Sequence, residues 1–187
     1  MPKPLIVGYR CPTVQPDGTF GYLWSHEPAG DLLEASERTM RIVIGSDHAG
    51  FPMKAEILAF LKDQGHEIED VGSYDPHPVD FPDIARRVAA AITSGRAERG
   101  LMICGTGVGA AIGANKMKGI RAAVGHDVHS AHQCVEHDDV NVLCIGAQIV
   151  GPWLAKDLIA AYLDARFSTS EEFRRRVAKL ADMDEGR

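Results

Sequence analysis

The sequence predicts an α/β fold built on a five-stranded parallel sheet, and three observations lead there. From Met40 onward, short runs rich in Val and Ile alternate with longer segments of helical period, the pattern of strands joined by crossover helices. Most of the short runs are apolar almost throughout, as strands buried on both faces should be. Pro52, Pro82 and Pro152 fall where three helical segments begin, positions at which a missing N–H costs little.

Residues 1–39 read as a short N-terminal extension to a main domain over 40–187. Pro2, Pro4, Pro12, Pro16 and Pro28 are half of the chain's ten prolines, scattered among glycine and aromatic residues. Leu5–Tyr9 and Thr19–Trp24 are expected as a small hairpin around Pro16-Asp-Gly18. In the main domain the expected strands are Arg41–Ser46, Glu67–Val71, Gly100–Ile103, Arg121–Val124 and Asn141–Ile145. Between and after them the helical pattern covers Pro52–Gln64, Pro82–Thr93, Val108–Met117, Val128–Val135 and Pro152–Ala165. A basic helix over Glu171–Leu180 closes the chain, with its acids first and its bases later, as the helix dipole favours.

A chain of 187 residues with 45% hydrophobic and 25% charged positions can bury a full core without a disulfide or metal staple. The net charge of −6 argues against general nucleic-acid binding. No apolar run approaches the roughly 18–20 residues of a membrane helix. The four cysteines form no CxxC pair, and Met1-Pro-Lys-Pro lacks the apolar core of a signal peptide. The expectation is a cytoplasmic protein with free thiols, without nucleic-acid or membrane partners.

Ligands of open parallel sheets sit beyond the carboxyl ends of the strands. There this chain carries Gly45-Ser-Asp-His-Ala-Gly50, Cys104-Gly-Thr-Gly-Val-Gly109 and Gly125-His-Asp127. Gly105, Gly107 and Gly109 let the backbone approach a ligand and turn successive N–H groups toward it, while the following helix adds its positive end. Cys104 stands at the mouth of this anion cradle, where such a field favours thiolate over thiol. A basic sulfur beside an oxyanion cradle suits proton abstraction next to a carbonyl, since the enediolate so formed needs nearby donors. The plain alternative is a common strand-to-helix turn with a buried cysteine acting as a small hydrophobe. The loop also fits a lenient dinucleotide pattern through Gly105, Gly107 and Ala110 with Asp127 further on, although it does not follow the first strand.

Asp47 and His48 lie on a glycine-flanked turn and could handle hydroxyl protons, or simply cap the next helix. His126, His129, His132 and His137 crowd one segment with Asp127, Asp138 and Asp139, but no ligand spacing supports a metal site, and none is expected.

Taken together, Ser46–Gly50, Asp80-Phe-Pro-Asp83, Ile103–Gly109, Ala114-Asn-Lys116, Gly119-Ile-Arg-Ala122 and Glu136–Leu143 resemble the type B ribose-5-phosphate isomerase family, which includes the LacA and LacB galactose-6-phosphate isomerase subunits. The resemblance covers about residues 40–180 and displaces the dinucleotide reading. It implies a Rossmann-like three-layer sandwich, a homodimer or dimer of dimers with sites shared between subunits, and cofactor-free isomerisation of a small sugar phosphate through an enediolate. By resemblance Cys104 is the base, Gly105 to Gly109 hold the oxyanion with Thr106 and Val108 in the cradle, and His137 of the partner opens the sugar ring. Asp47 and His48 would bind sugar hydroxyls. Where some relatives place a glutamate base, this chain has Ala110, which favours the cysteine version.

The family's asparagine after the ring-opening histidine is Asp138 here, and its arginine after the fifth strand is Gln148. Of two arginines four apart in the last helix, one is Glu172 and the other remains Arg176. Loss of positive charge near a phosphate weakens binding on the scale of charged hydrogen bonds, so Arg176 becomes the expected phosphate contact. Arg174, Arg175, Arg10 or Arg38 could replace the lost charge, and Asp138 could bind sugar hydroxyls. The alternatives are an isomerase of an unphosphorylated or atypical sugar, and a non-catalytic sugar- or nucleotide-binding subunit.

Overall fold

The computed structural model describes residues 11–14, 20–23 and 39–186. The chain divides into two units, Met1–Glu37 and Arg38–Arg187. In the first, β1 (Cys11–Val14) and β2 (Phe20–Leu23) pair antiparallel, with Cys11 opposite Leu23 and Val14 opposite Phe20. The partner of the second expected strand is therefore Cys11–Val14. The expected first strand Leu5–Tyr9, the turn Pro16-Asp-Gly18, Arg10 and Arg38 lie outside the described residues.

The second unit runs β3 (Arg41–Ser46), α1 (Phe51–Asp63), β4 (Glu67–Asp70), α2 (Phe81–Thr93), β5 (Arg99–Cys104), α3 (Val108–Ala114), β6 (Ala122–Val124), α4 (Val128–Asp138), β7 (Val142–Gly146), α5 (Pro152–Asp164) and α6 (Glu171–Asp184). The five strands β3 to β7 form one all-parallel sheet in the order β4-β3-β5-β7-β6. Central strands β3, β5 and β7 are buried almost end to end, whereas the edge strands β4 (Glu-Ile-Glu-Asp) and β6 are half-buried. Burial on both faces explains the continuous apolar runs of the centre, and an exposed face permits the acids of β4.

Alternation along each strand divides the core in two. Ile42, Ile44, Leu101, Ile103, Leu143 and Ile145 face α1, α4 and α5, with Ile57, Leu61, Val135, Leu158 and Tyr162 packed against them. Val43, Met102, Cys104, Val142 and Cys144 face α2 and α3, meeting Ile84, Val88, Ala110 and Ala114. Three layers result, as the sequence pattern and the resemblance led us to expect.

The chain leaves β3 toward β4 on one side and later places β5 on the other, so the order reverses between β3 and β5. Loops at such a switch diverge and leave a crevice beyond the carboxyl ends of the strands. Ser46 pairs with Ile103 there, which sets Asp47 beside Cys104.

Candidate active site

The crevice is built by three short connections. After β3, Asp47 is 8% exposed and its Oδ1 accepts the Gly50 N–H at 2.9 Å, while its own N–H donates to the Ile103 carbonyl at 3.2 Å. Its carboxylate therefore closes the β3–α1 turn, while α1 itself starts after Gly50 without a side-chain cap. The turn presses directly on the end of β5: a Cβ on Gly50 would lie 1.9 Å from the Ile103 carbonyl oxygen and 2.9 Å from the Cys104 nitrogen. Backbone cannot yield to that overlap cheaply. Gly50→Ala is expected to destabilise the fold by about 3 kcal/mol or more, read as a lowered denaturant midpoint at unchanged m-value.

After β5 comes the cradle. Gly107 adopts φ +79°, a left-handed conformation that directs its N–H back to Cys104 Sγ at 3.0 Å. Cys104 is 6% exposed and sits where β5 gives way to the loop. Ala147 donates to the Cys104 carbonyl at 2.8 Å and Gln148 to the Gly105 carbonyl at 3.0 Å, so the β7–α5 connection clasps the loop from one side. The exposed Gln148 carries its amide over Gly105, with Oε1 3.2 Å from the place of a Cβ there. Thr106 is exposed, and its Oγ1 accepts the Val108 N–H at 3.4 Å. Gly109 lies under the Phe81 ring.

Burial pushes the Cys134 thiol up to about 11 and also raises that of Cys144, which makes both poor proton acceptors near neutrality. Cys104 accepts the Gly107 N–H through its sulfur, whereas Cys134 donates to the Ala131 carbonyl at 3.3 Å.

On the β4 side, exposed His48 accepts the Val79 N–H through Nδ1 at 3.3 Å. Val79 in turn lines a cavity of about 380 Å³ together with Ser73, Tyr74, Asp75, Asp80 and Arg87, among others, and neither His48 nor Cys104 is part of its wall. Buried Lys54 shapes that flank: its ammonium meets both oxygens of Asp70 at 2.8–2.9 Å and the Ser73 carbonyl.

His137 and Cys104 are not brought together within one chain. β5 ends at Cys104 on the carboxyl edge of the sheet, whereas α4 starts beyond the end of β6 and runs back to the amino edge. There Arg121 Nε, just before β6, donates to the Asp139 carbonyl at 2.8 Å, and Arg99, opening β5, donates to the Val140 carbonyl at 3.3 Å. The two edges are about 16 Å apart, five steps of roughly 3.3 Å along β5. His137 stacks on Phe173 of α6, next to exposed Asp138. Arg176 is engaged by Glu172 one turn earlier in α6, with both side chains about half exposed (55% and 53%).

His126 is a site neighbour that residue-by-residue reading passed over: its Nε2 accepts the Gly146 N–H at 3.1 Å, fixing the end of β7 beside the cradle. Its place directly after β6 was the available signal. Two other histidines of that segment go elsewhere, His132 toward Glu136 and His137 to Phe173.

A glycine-rich loop at the switch point of a five-stranded parallel sheet defines an α/β protein of the class that binds ligands beyond the carboxyl ends of its strands. Residues 42–180 match the family model described as Ribose/Galactose Isomerase. The chain belongs to the ribose/galactose isomerase family. It is 43% identical to ribose-5-phosphate isomerase B of Escherichia coli over 127 residues, 68% of this chain and 85% of that protein. It is also 43% identical to a D-erythrulose-4-phosphate isomerase of Pectobacterium atrosepticum over 131 residues, again 68% and 85%. The solved structure of Clostridium thermocellum ribose-5-phosphate isomerase B superposes with a TM-score of 0.77 at 43% identity, covering 79% of this chain and 99% of that one.

Proposed function

We propose that the protein interconverts an aldose phosphate and its ketose through an enediolate, with Cys104 as the base. The Gly107 N–H aimed at Cys104 Sγ carries this reading, because it places a sulfur acceptor beside the amides that would stabilise charge on the sugar. In the open-chain aldose the thiolate takes the C2 proton, and the C2–H electron pair forms the C1–C2 double bond as charge moves to O1. The amides of the Gly105 to Gly109 loop that are not engaged by Cys104 Sγ or Thr106 Oγ1 receive that oxyanion. Return of the proton to C1, with transfer between O1 and O2, yields the ketose. No cofactor enters this scheme. Assaying a panel of sugar phosphates in deuterated water tests it: solvent deuterium should appear at the C1 or C2 position of substrate or product, and no exchange on any member would refute the reading.

A sugar that arrives as a ring must first be opened, and His137 is the acid we assign to its ring oxygen. With His137 at the opposite edge of the sheet, a second copy has to deliver it. The exposure of Val108 (52%), Ile112 (57%), Ile149 (57%) and Trp153 (86%) supports a protein partner on this edge, since large apolar side chains gathered around a polar cleft mark an interaction surface. An isologous pair offers two complete sites, each with Cys104 from one copy and His137 from the other.

Delivered together with His137, Arg176 is the residue we assign to the phosphate. Glu172 holds its guanidinium, so an incoming phosphate competes with a carboxylate of the same helix. This observation favours the secondary reading of a weakly bound or differently charged sugar. Glu172→Gln should lower KM for a phosphorylated substrate about three- to fivefold at nearly constant kcat, by freeing the fork for bidentate contact. An unchanged KM would remove Arg176 from the binding site.

A further inference from the structure

The way His137 is held points to a residue that no motif singles out. Its imidazole lies flat against the Phe173 ring, with centroids 3.9 Å apart and planes within 14°. Phe173 is the only aromatic residue of α6, in a run otherwise charged or aliphatic (Glu-Glu-Phe-Arg-Arg-Arg-Val). Among the described residues, no hydrogen bond reaches either ring nitrogen of His137.

A histidine in the last turn of a helix can swing about two side-chain torsions, yet a proton donor must sit within about 3 Å of the atom it protonates. Orienting the ring by a hydrogen bond would occupy one of its two nitrogens. A parallel stack restrains the plane and leaves both nitrogens on the open edge. The guanidinium carbon of Arg176 lies 5.7 Å from the centre of the same phenyl ring, but its hydrogen-bonding fork is held by Glu172 and not by Phe173.

On the reading that His137 opens the sugar ring, we infer that Phe173 is a positioning residue: it fixes the His137 imidazole in the plane from which a ring nitrogen reaches the ring oxygen of the sugar in the partner's site. Phe173 makes no contact with the sugar and acts only through His137.

Two substrates separate this role from simple docking of α6. Ribose 5-phosphate closes into a furanose through O4 and needs opening. In D-erythrulose 4-phosphate that oxygen is esterified, so no such ring forms. In the full-length protein, Phe173→Leu should lower kcat on ribose 5-phosphate about 10- to 100-fold with little change in KM, and leave the rate on D-erythrulose 4-phosphate intact. Phe173→Tyr should retain both rates, since it keeps the stack. Val177→Ala, one turn along the same helix, should leave the ratio of the two rates unchanged. The His137 ring-proton resonances should lose their upfield ring-current shift in Phe173→Leu and keep it in Phe173→Tyr. Equal losses on both sugars, the same selective loss in Val177→Ala, or an unmoved His137 resonance in Phe173→Leu would overturn the inference. His137→Asn separates loss of the ring-opening acid from loss of its positioning. If it spares turnover of ribose 5-phosphate, or if the wild type does not turn that sugar over, the ring-opening reading falls and this inference with it. If His137→Asn removes that turnover while Phe173→Leu does not, the inference alone falls.

Discussion

Cys104→Ala should retain the fold and lose isomerisation by a factor of about 10²–10⁴, the usual contribution of a positioned acid or base. The fold should survive because the residue lies in the small-residue layer against α2 and α3, beside Ala110 and Ala114, where losing one sulfur leaves little space to fill. The reaction should not, because the other described thiols are placed to stay protonated: Cys134 is raised to about 11 by burial, and Cys144 is buried completely. Two readouts belong together, the turnover of a sugar phosphate and the rate of solvent deuterium entry into it. Loss of both with an unchanged circular dichroism spectrum is the expected result. A variant that exchanges deuterium at the wild-type rate would show that another group removes the proton.

The strands and helices were legible where burial imposes a pattern. β3, β5 and β7 are covered on both faces, so their residues read as unbroken apolar runs, and their observed limits fall within two residues of those expected. Helix ends were read less well because they are decided by single residues. α3 stops at Ala114 rather than Met117, where the chain passes into the turns that lead to Gly119. α4 continues past Val135 to Asp138, until Asp139 adopts φ +49°. The polar Glu136-His-Asp stretch carries no apolar period to announce that last turn. α6 likewise runs on to Asp184, tied there by Gly119 donating to the Asp184 carboxylate at 2.9 Å.

The glycine loop after β5 was legible for a different reason: glycine is demanded by backbone geometry, and the left-handed Gly107 is where the N–H turns to the sulfur. Contacts between distant segments were not legible. Gly50 against Ile103, His126 under Gly146, Phe173 on His137 and Glu172 on Arg176 depend on how helices settle on the sheet. Only the last involves residues of one helix, and there the i,i+4 spacing was visible while its bearing on phosphate binding was not.

Cys104→Ala and His137→Asn, prepared separately, should each be nearly inactive on ribose 5-phosphate. The reason is geometric, since the strand β5 separates the two groups within a chain and neither variant can assemble a complete pair. Mixing changes the outcome. In a hybrid dimer one site combines both defects, while the other combines an intact Cys104 with an intact His137. Random re-pairing makes half of the dimers hybrid, each with one working site of two, so activity should recover to about a quarter of the wild-type value.

That mixture is the most direct measurement of the shared-site account. Equal amounts of the two inactive variants are dissociated, recombined and assayed with ribose 5-phosphate against each variant treated alone. Recovery approaching a quarter of wild-type turnover is the result this account predicts. A mixture that stays as inactive as its components after demonstrated subunit exchange would contradict it, because each site would then be the property of a single chain.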